Sequence, residues 1–273
     1  MARMVFGVLL LSTAFEQVVA AERAFAADSP VLGLHGAFLK HLADDAIVFD
    51  PTPVPGPMRH RDKPPAKGLL SWGPAWAVAS RSGDLGFTSG PAEFRPTGAD
   101  KPSYTGWFFS VWEKPAGGDW KVRVDIGISC PLTYAAPESV EDGLPRTEEP
   151  PVKRDRSALA AAEAKLDADA RLGMGAALAS RIDERTRVHR EGDCPATGAA
   201  ARALAAKDTR KLDCKPLRIE LASSGDVGYA YGSCAAIDGD PALATGYARA
   251  WRRLPGGEWK LLADVTLDLP DKK

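Results

Sequence analysis

Trp120, Val122, Val124, Ile126 and Ile128 alternate with Lys121, Arg123 and Asp125, the two-residue period of a strand with one buried face. Residues 259–269 repeat that pattern. Ahead of the first such strand, Pro115, Ala116, Gly117 and Gly118 predict a turn, and before it the aromatic-rich run 104–113 predicts another strand. Further strands are expected over 84–94 after the Ser82-Gly83 turn, over 75–80, and over 46–49. Pro51 and Pro53 end the last of these. A helix or turn is expected around 66–72.

Helical patterns precede the strands. Residues 157–172 are Ala-rich, with Leu159, Leu166 and Leu172 and a cap at Asp155 or Ser157. Gly173 and Gly175 interrupt this helix before a shorter one running to about Ile182. Near the N-terminus, 16–27 reads as a helix, and Asp28, Ser29 and Pro30 open a second helix over 31–42. Helices followed by a run of antiparallel strands define an α+β class.

The pattern occurs twice. Ser82, Gly83, Asp84, Leu85, Gly86 and Phe87 match Ser224, Gly225, Asp226, Val227, Gly228 and Tyr229 at an offset of 142. Thr105-Gly106 matches Thr245-Gly246 at 140, and Trp112, Trp120 and Asp125 match Trp251, Trp259 and Asp264 at 139. Leu32-Gly33 matches Leu172-Gly173 at 140. That period is too long for a solenoid and fits a duplicated domain. The division is a leader 1–14, a first module 15–130, a linker 131–156 and a second module 157–273. The linker, with Pro131, Pro137, Pro145, Pro150 and Pro151 among several Glu residues, reads as partly extended. The shared glycine and the shared Trp lie six residues apart in module one and five in module two. A bulge near Trp107–Ser110, in module one alone, is the expected consequence.

Composition narrows the classes. With 35 Lys+Arg against 36 Asp+Glu, no basic excess points to nucleic acid. Arg3 followed by the apolar run 4–11 and by Ser12, Thr13 and Ala14 has the layout of a secretory signal, too short to span a bilayer. Cleavage near Ala14 and a periplasmic or secreted location follow as expectations, with a cytoplasmic one as the alternative. The four cysteines, Cys130, Cys194, Cys214 and Cys234, show no C-x-x-C spacing and no His at zinc-ligand spacing, so no structural metal is expected, and with no P-loop or dinucleotide fingerprint no cofactor is expected. Cys194–Cys214 is the preferred disulfide, with buried free thiols as the alternative.

The turn signatures, the order of elements and the runs around Thr105-Gly106, Val111-Trp112 and Trp120–Ile128 resemble the nuclear-transport-factor-2-like superfamily, in its polyketide-cyclase-like (SnoaL-like) branch. The resemblance implies two cone-shaped modules, each with N-terminal helices packed in a curved antiparallel sheet and a pocket at the open end. It also implies that the copies pack as an intramolecular pseudo-dimer, with further self-association open. Enzymes of that superfamily move a proton on an apolar small molecule with an Asp or His in the cone; other members only bind or build.

The weak catalytic candidates are His60, Asp84 and Asp125. His60 lies in the basic loop 58–61, where it would cover the pocket mouth. Asp84 also fits a plain turn role, like Asp226, and Asp125 a solvated partner of Lys121. A surface position is the simplest reading of His35, His41, His60 and His189. Trp72, Phe87, Tyr104 and Trp107 are the expected ligand-binding aromatics, since module two has lost most of this set. Two functions stay open. One is an exported protein that binds an apolar small molecule in module one, or serves as a scaffold. The other is an acid–base lyase or isomerase on a hydrophobic small molecule, using an Asp or His of module one. Carboxylates clustered inside the first cone would favour the second; a cone filled by aromatic side chains would favour the first.

Overall fold

The Thr13 hydroxyl accepts from the Glu16 amide (3.2 Å) and the Glu16 carboxylate accepts from the Thr13 amide (2.7 Å), so a capping box opens the first helix, α1, Ala14–His41. The computed structural model describes residues 12–144, 154–238 and 244–267. The apolar run 4–11, on which the expected secretory signal falls, therefore lies outside the described residues. The helix runs on through Pro30 and turns at Gly33 (φ 72°), not at Asp28–Pro30 as the sequence suggested. Positive φ is open to glycine at little steric cost, so it bends the chain more sharply than a proline can. Among the described residues no helix is long and apolar enough to cross a membrane.

Module one continues with β1 (Leu42–Asp50), β2 (Thr52–Pro55), α2 (Gly56–His60), β3 (Gly68–Trp72), β4 (Trp76–Ala79), β5 (Leu85–Pro96), β6 (Tyr104–Glu113) and β7 (Lys121–Ser129). The segment expected to be helix or turn is β3: it pairs with β5, Trp72 opposite Ala92, and that pairing overrides its weak local preference. The short strand β8 (Glu141–Asp142) pairs with β4, so the first part of the expected linker belongs to this sheet. Module two comprises α3 (Arg156–Ala170), α4 (Met174–Ala179), β9 (Arg187–Arg190), β10 (Asp193–Thr197), α5 (Gly198–Ala206), β11 (Leu212–Leu221), β12 (Val227–Ala236), β13 (Ala244–Arg253) and β14 (Trp259–Leu267). The sheet orders are β2-β1-β7-β6-β5-β4-β8, with β3 beside β5, and β10-β9-β14-β13-β12-β11. Both are mostly antiparallel, with β1·β7, β4·β8 and β9·β14 parallel.

No bulge interrupts Trp107–Ser110; the β5·β6 ladder is continuous there. The slip sits on β7, where Val111 faces Val124 and Trp112 faces Val122, leaving Arg123 unpaired. Module two has the same slip at Leu262, between Ala250–Ala263 and Trp251–Leu261. The apparent alternation of β7 therefore changes face at Arg123. Trp120 and Val122 pack under α1, whereas Val124, Ile126 and Ile128 point to the other module. The register also corrects the residue matching: Phe108 and Tyr247 are equivalent, both opposite the repeated glycine (Gly90, Gly232), and so are Ser110 and Arg249.

The convex faces of the two sheets pack against each other. Phe87, Phe109, Val111, Ile126 and Ile128 meet Val227, Tyr229, Tyr231, Ala248 and Val265 in one buried cluster. The repeated hairpins close this interface reciprocally. The Asp84 carboxylate accepts from the Ser223 amide and that of Asp226 from the Arg81 amide, each at 3.0 Å, and the Ser82 and Ser224 hydroxyls meet at 2.8 Å. This is the isologous geometry of a two-fold dimer within one chain.

All four cysteines form disulfides, Cys130–Cys194 and Cys214–Cys234, which corrects both the Cys194–Cys214 pairing and the free-thiol alternative. Cys214 and Cys234 stand directly opposite on β11 and β12, so neither is left for Cys194. Cys130, just past β7, joins Cys194 on β10 and ties the modules together. Two disulfides fit an oxidising compartment.

Candidate active site

Glu22 occupies the apolar stripe of α1 formed with Val18, Val19 and Phe25, and its side chain is fully buried. It faces the concave side of the first sheet and meets three neutral donors. Trp72 Nε1 on β3 gives to Oε1 at 2.7 Å; Thr88 Oγ1 on β5 and Trp112 Nε1 on β6 give to Oε2 at 2.6 and 2.9 Å. Burial raises its proton affinity above the ordinary Glu range, and these bonds oppose the rise.

Asp125 shares that concave side because of the slip at Arg123. The Ser110 hydroxyl donates to its Oδ2 at 2.8 Å. Asp125 retains some exposed surface, yet protein surrounds its carboxyl, and no cation pairs with it among the described residues. Burial pushes its pKa up to about 7; the Ser110 hydrogen bond opposes the rise and the charge of Glu22 adds to it. The reading of Asp125 as a solvated partner of Lys121 therefore fails. Lys121 instead donates to the Lys40 carbonyl at 2.7 Å.

The equivalent position of module two carries opposite electrostatics. Glu163 and Asp264 match Glu22 and Asp125, but Arg249 stands where module one has Ser110. Its guanidinium binds Glu163, Asp264 (3.0 Å) and Asp167 (3.0 Å) and lies over the Tyr247 ring at 4.1 Å. Arg190 takes the other oxygen of Asp264. Burial works against the charge of Asp264, but the two guanidinium groups prevail and hold its pKa below the usual range. Glu163 and Asp264 of module two are thus buried and paired with arginines, whereas Asp125 of module one has no cation partner among the described residues.

The other expected site residues are dispersed. Asp84 is a hairpin clasp: burial opposes its charge, but bonds from Ser223, Ser82 and Ser80 hold its pKa down. His60 is buried, stacks on Phe38 at 4.3 Å, and lies 3.0 Å (Nδ1 to Nδ1) from His35. Burial, with the charges of His35 and Arg59, lowers its pKa to about 4. His41 pairs with Asp28, and His189 is wholly buried against Phe109, so the surface expectation fails for His60 and His189, while His35 and His41 stay partly exposed. Trp72 and Tyr104 lie on the concave side, the Tyr104 hydroxyl giving to the Ile128 carbonyl at 3.0 Å. Phe87 and Trp107 lie on the convex side against module two, because strand residues alternate faces. None of these four lines the surface cavities of about 680 and 330 Å³, which sit beside the α1 N-terminus and in the inter-module seam.

The sequence reading missed Glu22, Thr88 and Ser110. A signal existed for the first: a lone Glu inside an apolar helical stripe, repeated as Glu163 among Leu159, Leu166 and Ala170.

No family model matches the chain, and no curated protein matches it. Solved structures do match, each over about two-fifths of the chain, the share of one module. A ketosteroid isomerase-like protein from Erwinia carotovora atroseptica is 11% identical, covers 44% of this chain and 99% of its own, and gives a TM-score of 0.36. An NTF2-like protein from Cytophaga hutchinsonii is 14% identical over 42% of this chain and 99% of its own, with a TM-score of 0.34. SalBIII, an epoxide hydrolase/cyclase-like enzyme of pyran ring formation in the polyether salinomycin, is 13% identical over 42% and 93%, with a TM-score of 0.32.

Proposed function

We propose that module one is the working half, taking an apolar small molecule at the open end of its cone and moving a proton on it through Asp125. One observation carries this reading: the acid that Arg249 and Arg190 neutralise in module two has no cation partner in module one among the described residues, and burial pushes its pKa up to about 7. An acid tuned to the working pH is the effective one for proton transfer. The net chemistry is that of an isomerase or lyase: Asp125 takes a proton from the ligand and returns it elsewhere on the same molecule or to the leaving group. Module two serves as the structural partner. The apolar leader and the two disulfides support a periplasmic or secreted location rather than a cytoplasmic one.

The cone's deep end favours a second reading, binding without turnover. There Trp72 and Trp112 fill space and clamp Glu22. The test separates the two. The full chain is screened against a panel of apolar small molecules by thermal shift, and deuterium uptake from D2O into each bound molecule is followed by NMR. Asp125→Asn is expected to bind as the wild type does and to slow uptake by about 10²-fold or more. Binding with equal uptake in both proteins selects the binding-only reading, and no bound molecule at all overturns both.

A further inference from the structure

The cavity of about 680 Å³ at the flank of module one is enclosed by both ends of α1 and by the turn from β6 into β7. Its volume is in the range of small-molecule sites. Ala20, Ala21 and the buried Trp120 ring form an apolar wall, and Lys40, Lys114 and Lys121 bring cations to it. Those cations are unevenly matched. Lys40 pairs with Asp28 at 2.7 Å. Lys114 donates to the Gln17 side-chain carbonyl at 2.9 Å and Lys121 to the Lys40 backbone carbonyl at 2.7 Å, both neutral acceptors. Neither of these two ammonium groups meets a carboxylate among the described residues. Of the acids in the wall, Glu16 is engaged in the capping box and Asp119 makes no ion pair with either lysine. Module two repeats the framework but not the charge. Lys260 matches Lys121 and donates to the Ser180 carbonyl at 2.8 Å, but Glu258 neutralises it at 2.8 Å. Both modules use this lysine to brace the strand against a helix end; module one leaves it without a carboxylate.

We propose that this cavity is a second ligand site, which takes an organic anion with its carboxylate at Lys114 and Lys121 and its apolar body along Ala20, Ala21 and Trp120. Glu113 faces Lys121 in the β6·β7 ladder, so Lys114 is the next residue along and both side chains reach the same cavity. A carboxylate offers them charge-assisted hydrogen bonds, stronger than the neutral ones they make in the free protein. The apolar body covers wall that otherwise faces water. A cation would meet like charge here, and a neutral chain would leave both ammonium groups as they are. The site stands apart from the cone and does not depend on the role of Asp125. Every residue it uses follows Ala14, so it belongs to the chain with or without the leader.

The experiment is calorimetric titration of the full chain with decanoate, with decanol and decyltrimethylammonium as the neutral and cationic controls. Decanoate should bind, decanol about tenfold more weakly or worse, and the cation not at all. Lys114→Met and Lys121→Met keep the apolar stems and should each weaken decanoate by about tenfold, since a hydrogen bond to a charged group is lost. Ala20→Trp, at an exposed position of the wall, should fill the cavity and abolish binding. Equal affinity for decanoate and decanol overturns the proposal, and so does decanoate binding that neither lysine substitution changes. Decanoate weakened by Asp125→Asn but not by Ala20→Trp places the anion in the cone and also overturns it, while leaving the cone's own function open. Should a variant fail to fold, the wild type decides by NMR. Decanoate should shift the Ala20, Ala21 and Trp120 indole signals, and shifts confined to other residues, or none, overturn the site.

Discussion

Arg249 carries a charge at 1% exposure, which the fold tolerates because Glu163, Asp264 and Asp167 surround its guanidinium and the Tyr247 ring covers it. Such a network is weak evidence for net stability, but removing one partner leaves the others buried and uncompensated. Arg249→Met is therefore expected to destabilise the chain by about 3–5 kcal/mol, read by denaturant unfolding. The loss should shrink as pH falls, since burial already raises the proton affinity of Glu163 and Asp167 and protonation removes the unpaired charge. A loss under about 1 kcal/mol would mean the network does not hold module two closed. At the matching position Ser110 is small and neutral, and that difference, together with Arg190 on the other oxygen of Asp264, separates a charge-paired acid from one with no cation partner among the described residues. Sequence showed both residues but not their equivalence. The Thr105-Gly106 match to Thr245-Gly246 pulled the matching one residue out of step, and only the strand register corrects it.

Strand pairing decides which side chains share a face. The sequence made most strands readable, because the turns at Ser82-Gly83 and Gly117-Gly118 and the run 104–113 carry strong local signals. The slip at Arg123 was not readable, since the residues keep alternating while the pairing does not. For that reason Asp125 seemed to share a face with Lys121; Phe87 and Trp107 were misplaced for another reason, since alternation along β5 and β6 does not say which face turns to the cone. The repeated glycines were visible as a match, but their cause lies between strands. A Cβ at Gly90 would stand 1.9 Å from the Gly73 carbonyl oxygen, and one at Gly232 would stand 2.1 Å from that of Lys215. In both modules the neighbouring chain breaks its ladder at this point, between β3 and β4 or at Pro216–Arg218, and the sheet bends there. Gly90→Ala and Gly232→Ala are each expected to lower stability by about 1–3 kcal/mol, since backbone cannot yield as a side chain can. Gly256→Ala, with nothing within 4 Å, is the control and should leave the unfolding midpoint unchanged. Similar losses at all three positions would remove the glycines from the account of the bend.

The duplication was legible across the whole chain, and so was a paired arrangement of the copies, but not the means by which they are held. Three devices converge on the interface: the apolar cluster of the convex faces, the reciprocal Asp84 and Asp226 clasp, and Cys130–Cys194. The two disulfides differ in what they restrain. Cys214–Cys234 closes a separation of 20 residues within module two, and Cys130–Cys194 closes 64 residues that include the connection between modules. In the chain-entropy account the longer loop contributes about 4 kcal/mol and the shorter about 3, so size alone separates them little. Their locations separate them more. Cys130→Ala with Cys194→Ala should lower the melting temperature while the modules stay docked, because the buried cluster and the clasp remain. Cys214→Ala with Cys234→Ala should loosen the β11 edge of the second sheet, next to the repeated glycine Gly232. Hydrogen exchange reads both: in the first variant protection should persist at Phe109, Ile126 and Tyr229 of the interface, and in the second it should fall along β11 and β12. Loss of interface protection in the first variant would show that the disulfide, not the apolar faces, holds the two cones back to back. Module two could not then support module one through packing alone.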